Sequence, residues 1–275
     1  MEAIEEIILR HPQRGMDKLA YYMRPGFCRE AAEKIYALER GTVLLLTGFY
    51  VHGSAETDGP AGTWAVAGAL KALSFSPVIV TDSFLNGVFE AYGFPVEYYP
   101  IDGTDDYADT LLEKYRPVLL FSLERCGRSI RNDYVNMRGV SIRPFTAPVD
   151  ALFLRGYGKV PTIGVGDGGN EVGMGNVYDI VRKELSCTPA TVKADTLIIA
   201  TVSNWGGYGL CACLSRLCGK DLVPAFEEQQ AFMASAREKA NCIDGVNRTH
   251  NLTEDGYPLA RTMEILTALK QEISR

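Results

Sequence analysis

Four short segments gather the residue types from which a polar active site is made. They are Glu56-Thr57-Asp58-Gly59-Pro60, Ser122-Leu123-Glu124-Arg125, the run from Gly166 to Gly175, and Ser203-Asn204-Trp205-Gly206-Gly207. The third is the most specific. Its five glycines in ten residues let the backbone enter left-handed conformations and approach a ligand closely. The freed N–H groups can then cradle an anion at a helix start. Asp167, Asn170 and Glu171 add oxygen donors of the kind that suit Mg²⁺, Mn²⁺ or Ca²⁺. Glu56 and Asp58 lie two residues apart and could face one cavity as general base and metal ligand, or Asp58 could cap the helix that follows it. Glu124 stands at the end of an apolar run, where an ionised carboxylate needs a partner.

Cationic partners are at hand. Arg125, Arg128, Arg131, Arg138 and Arg143 crowd one stretch of chain, and a guanidinium fork can grip a carboxylate bidentately. Other chemistries find less support. The three histidines are His11, His52 and His250; only His52 comes near a cluster, and no G-x-S-x-G elbow is present. Gly164, Gly166 and Gly169 satisfy G-x-G-x-x-G, yet the acids around them would repel a pyrophosphate and no P-loop motif occurs. No nucleotide cofactor is expected. The seven cysteines include no C-x-x-C pair, which argues against a zinc ribbon or thioredoxin-like site. They read as reduced core residues, with Cys126 singled out because it follows a strand end.

The elements that must position these loops are legible in the apolar pattern. Short runs at Val43–Leu46, Val78–Val80, Val96–Tyr99, Val118–Phe121, Thr162–Val165 and Leu197–Ala200 lack the alternation of a half-exposed strand. They suit strands buried on both faces. Helical segments are expected at Thr63–Leu73, Tyr107–Tyr115, Asn176–Leu185 and Gly207–Leu217. The combination predicts a doubly wound α/β fold with a mostly parallel sheet and helices on both faces. Residues 1–40 read as N-terminal helices, 126–160 as an inserted Arg/Gly-rich segment near the site, and 224–275 as C-terminal helices, all in a single domain. In such sheets ligands bind outside the carboxyl ends of the strands, which is where the four segments fall.

The formal charge of −6 argues against a nucleic-acid partner, because phosphate binding needs a clustered basic surface. No run approaches the roughly 18 apolar residues needed to span a bilayer, and the acidic start MEAIEEIILR is unlike a secretory signal. A cytoplasmic protein acting on a small anionic substrate is the expectation, with self-association into a homo-oligomer left open.

Glu56-Thr57-Asp58-Gly59-Pro60, Asn136-Met137-Arg138-Gly139, the Gly166–Gly175 run and Val202-Ser203-Asn204-Trp205-Gly206 together resemble the D-glutamate cyclase family, in the same order along residues 40 to 245. Ala61 stands where that pattern has a second Pro, and Asn132-Asp133 where it has Asp-Gly. The resemblance implies a lyase interconverting D-glutamate and 5-oxo-D-proline by loss or gain of water. In that reading Asp167 and Glu171 hold a divalent cation with Asp58 or Glu56, and Glu124 acts as acid or base. The Gly168 and Gly169 amides and Asn170 meet the substrate, Arg128 or Arg138 grips its α-carboxylate, and Asn204 and Trp205 shape the pocket. The competing reading is a metal-dependent phosphatase or related hydrolase that uses the same acidic loops and an Arg-bound phosphate.

Overall fold

A computed structural model describes residues 1–275. Its strands in chain order are β1 (Thr42–Gly48), β2 (Tyr50–Val51), β3 (Ser54–Ala55), β4 (Ser76–Thr81), β5 (Val96–Tyr98), β6 (Leu119–Arg125), β7 (Thr162–Gly166), β8 (Thr196–Ile199), β9 (Thr253–Glu254) and β10 (Tyr257–Pro258). All six apolar runs become strands of one sheet, ordered β5-β4-β1-β6-β7-β8 and parallel throughout. Alternate side chains of β1 enter different cores: Val43 and Leu45 face one, Leu44 and Leu46 the other. That double burial is why most of the runs are continuously apolar; β5, expected to be buried on both faces, is instead a half-buried edge strand.

The helices are α1 (Ala3–Ile8), α2 (Met16–Tyr22), α3 (Phe27–Ala37), α4 (Pro60–Ala72), α5 (Asp106–Tyr115), α6 (Ala151–Gly156), α7 (Tyr178–Glu184), α8 (Ser203–Cys218), α9 (Phe226–Ala240) and α10 (Leu259–Ile273). Both α4 and α8 begin three to four residues earlier than their apolar spacing suggests, since Pro60 is suited to a first helical turn and the first N–H groups of α4 and α8 are taken by the distant side chains of Asn204 and Asp58. They cross closely. A Cβ on Gly207 would stand 3.1 Å from the Gly62 Cα.

From β1 the chain winds outward to β4 and β5, then returns to β6 on the other side. This reversal places a crevice at the carboxyl ends of β1 and β6. There the β1–β6 register shifts between Leu46 and Gly48, an irregularity of the sort that re-aims strand ends. Residues 126–160 are mostly irregular and carry α6 and a short 3-10 turn at Arg143–Phe145. The C-terminal segment holds α9 and α10, and between them a hairpin of β9 and β10 that the pattern did not announce. No helix is long and apolar enough to cross a membrane.

Candidate active site

Glu124, next to last in β6, has φ at 48°, a left-handed conformation that costs a non-glycine residue roughly 1–3 kcal/mol and persists only where its surroundings hold it. The holding contact is Ser203, whose Oγ donates to Glu124 Oε2 at 2.6 Å. Asp58 caps a helix other than the one it precedes in sequence. Its Oδ2 accepts the Ser203 N–H at 2.8 Å and its Oδ1 the Asn204 N–H at 2.7 Å, both at the start of α8. Asn204 returns the arrangement: its Oδ1 accepts the N–H groups of Gly59 and Gly62 at 3.0 and 2.6 Å, at the start of α4. Two helix N-termini, each with a partial positive charge, thereby point at the same acidic centre. Asp167, just past β7, also accepts the Ser203 N–H at 3.1 Å.

Two residues outside the four sequence segments complete the centre. Asp255 comes from the β9–β10 turn, and Arg14 from the loop before α2. Arg14 Nη2 lies 2.5 Å from both Asp167 Oδ2 and Asp255 Oδ2 and 3.2 Å from the Thr201 carbonyl. Glu56 is pressed against Gly245, where an added Cβ would fall 1.7 Å from Glu56 Oε1. Glu254 accepts from Asn204 Nδ2 at 2.7 Å, and from the Thr262 hydroxyl. Glu56, Asp58, Glu124, Asp167, Glu171, Glu254 and Asp255 are all buried; Arg14 is the one guanidinium that hydrogen-bonds into them.

Acids packed this way cannot all ionise. Burial raises Glu56, Asp58 and Glu124 well above the usual carboxylate range, and neighbouring carboxylates push the same way. Burial also raises Asp167 against the pull of Arg14. For Glu171 burial prevails over the N–H bond from Gly169, and burial pushes Glu254 up to about 7. Asp255 is the exception: burial lifts it, but Arg14 together with shared hydrogen bonds holds it below the usual value. Burial and mutual repulsion thus push most carboxyls of the centre toward the protonated form, while Asp255, beside Arg14, is pulled the other way.

This centre floors a cavity of about 250 Å³. Arg14, Glu56, Glu124, Asp167, Glu171 and Asp255 line its acidic end, with Gly168 and Asn170 beside them. The 126–160 segment contributes Asn136, Arg138, Ser141 and Phe145 to the lining, and His52 also lines the space. Several expected site residues lie elsewhere. Arg128 binds Asp150 and Asp105 at 2.9 and 2.8 Å and does not reach the cavity. The Gly169 N–H is taken by Glu171 Oε2 at 2.7 Å, so it is not a free donor. Asn204 and Trp205 are fully buried behind the centre, Trp205 donating to Thr262 at 3.2 Å. Asp58 likewise sits behind the lining, with its oxygens directed at α8. Cys126 is buried, and burial raises its thiol, which leaves it inert.

Arg14 and Asp255 went unread because each stands alone in a turn-like stretch, His11-Pro12-Gln13-Arg14-Gly15 and Glu254-Asp255-Gly256. The one available signal was the acidic pair followed by glycine.

Two sets of carboxylates have oxygens within 4.8 Å of one another: Asp58, Asp167 and Asp255, and Glu124, Asp167 and Glu171. All-oxygen donors suit a hard divalent cation. In the first set Arg14 already bridges two members. The second faces the cavity, and no side-chain cation bonds to Glu124 or Glu171. Glu56 belongs to neither set.

Residues 4–270 match the family described as D-glutamate cyclase-like, C-terminal. Among curated proteins, the chain is 36% identical over 202 residues to the human protein named D-glutamate cyclase, mitochondrial, covering 63% of this chain and 32% of that one. It thus spans about a third of the relative's length. Among solved structures, an exopolyphosphatase-related protein from Bacteroides fragilis aligns over 92% of this chain and 60% of that chain, with a TM-score of 0.46 and 9% identity; at that level the likeness says nothing of function. With sheet, acidic centre and matched residues in agreement, the chain belongs to the D-glutamate cyclase-like C-terminal family.

Proposed function

We propose that this chain interconverts D-glutamate and 5-oxo-D-proline by loss and gain of water. The observation that carries the reading is one cavity lined by both charges: Glu124, Asp167 and Glu171 converge in it, and Arg138 lines it too. An α-amino dicarboxylate fits that polarity, its ammonium toward the acids and its α-carboxylate toward Arg138.

Ring closure joins the amine nitrogen to the carbon of the γ-carboxyl group and releases one of that group's oxygens. The ammonium must shed two protons, and the departing oxygen must gain two to leave as water, so the protons balance within the reaction. A carboxyl raised toward neutrality can accept and return them. Glu124 is placed for this, fixed by Ser203 at 2.6 Å. A divalent cation held by Glu124, Asp167 and Glu171 would supply positive charge at the γ-carboxyl.

The test is to incubate the purified chain with D-glutamate, with and without a chelator, and follow 5-oxoproline by mass spectrometry. Formation of 5-oxoproline supports the reading, and the chelator arm shows whether a metal takes part. Chelator-sensitive cleavage of generic phosphoesters with D-glutamate untouched would replace it with the hydrolase reading.

A further inference from the structure

We propose that Arg14 is the group that binds and polarises the γ-carboxyl of the substrate, doing with a fixed guanidinium what a metal would otherwise do; this rests on the cyclase reading above. Arg14 Nη2 is spent on Asp167, Asp255 and the Thr201 carbonyl, and Nε on the Asp167 carbonyl at 3.4 Å. Nη1 makes no hydrogen bond to the protein. Yet Arg14 lines the cavity, with its side chain only 15% exposed. A guanidinium anchored through one edge presents the other in a fixed direction. Nη1 is thus left accessible for a ligand oxygen, and a charge-assisted bond there is stronger than a neutral one.

Position selects which oxygen. During ring closure the amine and the γ-carboxyl carbon must meet, so the proton acceptor for the first and the positive charge for the second belong at the same end of the cavity. Asp167 fixes that end. It is 2.5 Å from Arg14 and shares a 4.8 Å neighbourhood with Glu124 and Glu171. Arg138, exposed on the 126–160 segment that also lines the cavity, is left for the α-carboxylate. As the γ-oxygens gather charge in the tetrahedral intermediate, a preorganised donor there lowers the barrier more than it tightens substrate binding.

The experiment compares wild type with Arg14→Lys, which keeps a charge against Asp167 and Asp255 but loses the second arm of the fork; its melting temperature checks that the fold survives. Binding of D-glutamate and of D-2-aminobutanoate, which lacks the γ-carboxylate, is measured calorimetrically. Losing one charge-assisted bond should weaken D-glutamate about tenfold or more, leave D-2-aminobutanoate within about twofold, and reduce kcat further. Equal weakening of both ligands, or of neither, overturns the role of Arg14 while the cyclase reading stands. Failure of wild type to bind D-glutamate would overturn both. If Arg14→Lys does not fold, Arg14→Gly supplemented with free guanidinium takes its place: restored D-glutamate binding supports the role, and binding that guanidinium does not change overturns it.

Discussion

Ser203 Oγ donates to Glu124 Oε2 at 2.6 Å, tying the end of β6 to the first turn of α8 across 79 residues of sequence. Because the neighbouring Ser203 N–H is held by Asp58 and Asp167, one residue aligns three carboxyls. The acidic centre is therefore organised by a helix N-terminus as much as by the strands.

Glu124→Gln should remove the proton carrier while retaining an oxygen for Ser203. Turnover of D-glutamate is expected to fall by a factor on the order of 10²–10⁴, with the circular dichroism spectrum unchanged. Steady-state kinetics decides; activity within twofold of wild type would take Glu124 out of the reaction.

Asp167→Asn leaves Arg14 only Asp255 as an anionic partner. Cyclisation should disappear while the folded state persists, as seen by paired activity and melting measurements. Unchanged turnover would remove Asp167 from the mechanism.

Arg138 and Arg128 should separate. Arg138→Met removes an exposed cavity wall contact and should raise KM about tenfold with the melting temperature unmoved. Arg128→Met strands the buried Asp150 carboxylate, and should lower stability by about 3 kcal/mol with little effect on KM. Kinetics and thermal melts on both variants would expose a reversal of this pattern.

Glu254 gives a pH signature. Its folded value is raised from the ordinary 4.5 to about 7 by burial, so the native state holds this proton more tightly than the unfolded chain. The associated stability is fully present below about pH 4.5 and is lost as pH rises through 7. At roughly 1.4 kcal/mol per pH unit the displacement amounts to about 3 kcal/mol. Glu254→Gln mimics the protonated form and should flatten that part of the stability curve, measured by urea unfolding from pH 5 to 8. An unchanged slope would assign the titration elsewhere.

Gly62→Ala tests the helix crossing. An added Cβ would stand 2.7 Å from the Asn204 Cα, a backbone atom that cannot swing aside. Prying α4 from α8 should cost about 1–3 kcal/mol and loosen the caps that Asp58 and Asn204 exchange. A variant as stable as wild type would mean the two helices part without strain.

Much of this was written locally. The six apolar runs became the six strands, five of them because burial leaves little room for polar alternation, with half-buried β5 at the sheet edge as the exception, and the Gly166–Gly175 run set Asp167, Gly168, Asn170 and Glu171 at the cavity. What stayed hidden depends on partners distant in sequence. Nothing near Arg14 indicates that Asp167 and Asp255, 153 and 241 residues away, will receive it. Asn204 and Arg128 carry binding chemistry by type, but helix capping and a buried ion pair use up their polar atoms. Sequence displays which groups are present; packing decides which remain free.

The most direct measurement is the reverse reaction in heavy-oxygen water. Given 5-oxo-D-proline, the chain should produce D-glutamate bearing one heavy oxygen, located in the γ-carboxyl by fragment mass spectrometry, and Glu124→Gln should produce none. Absence of labelled D-glutamate from the wild-type chain, with 5-oxo-D-proline recovered intact, would contradict the assignment of this cavity to cyclisation.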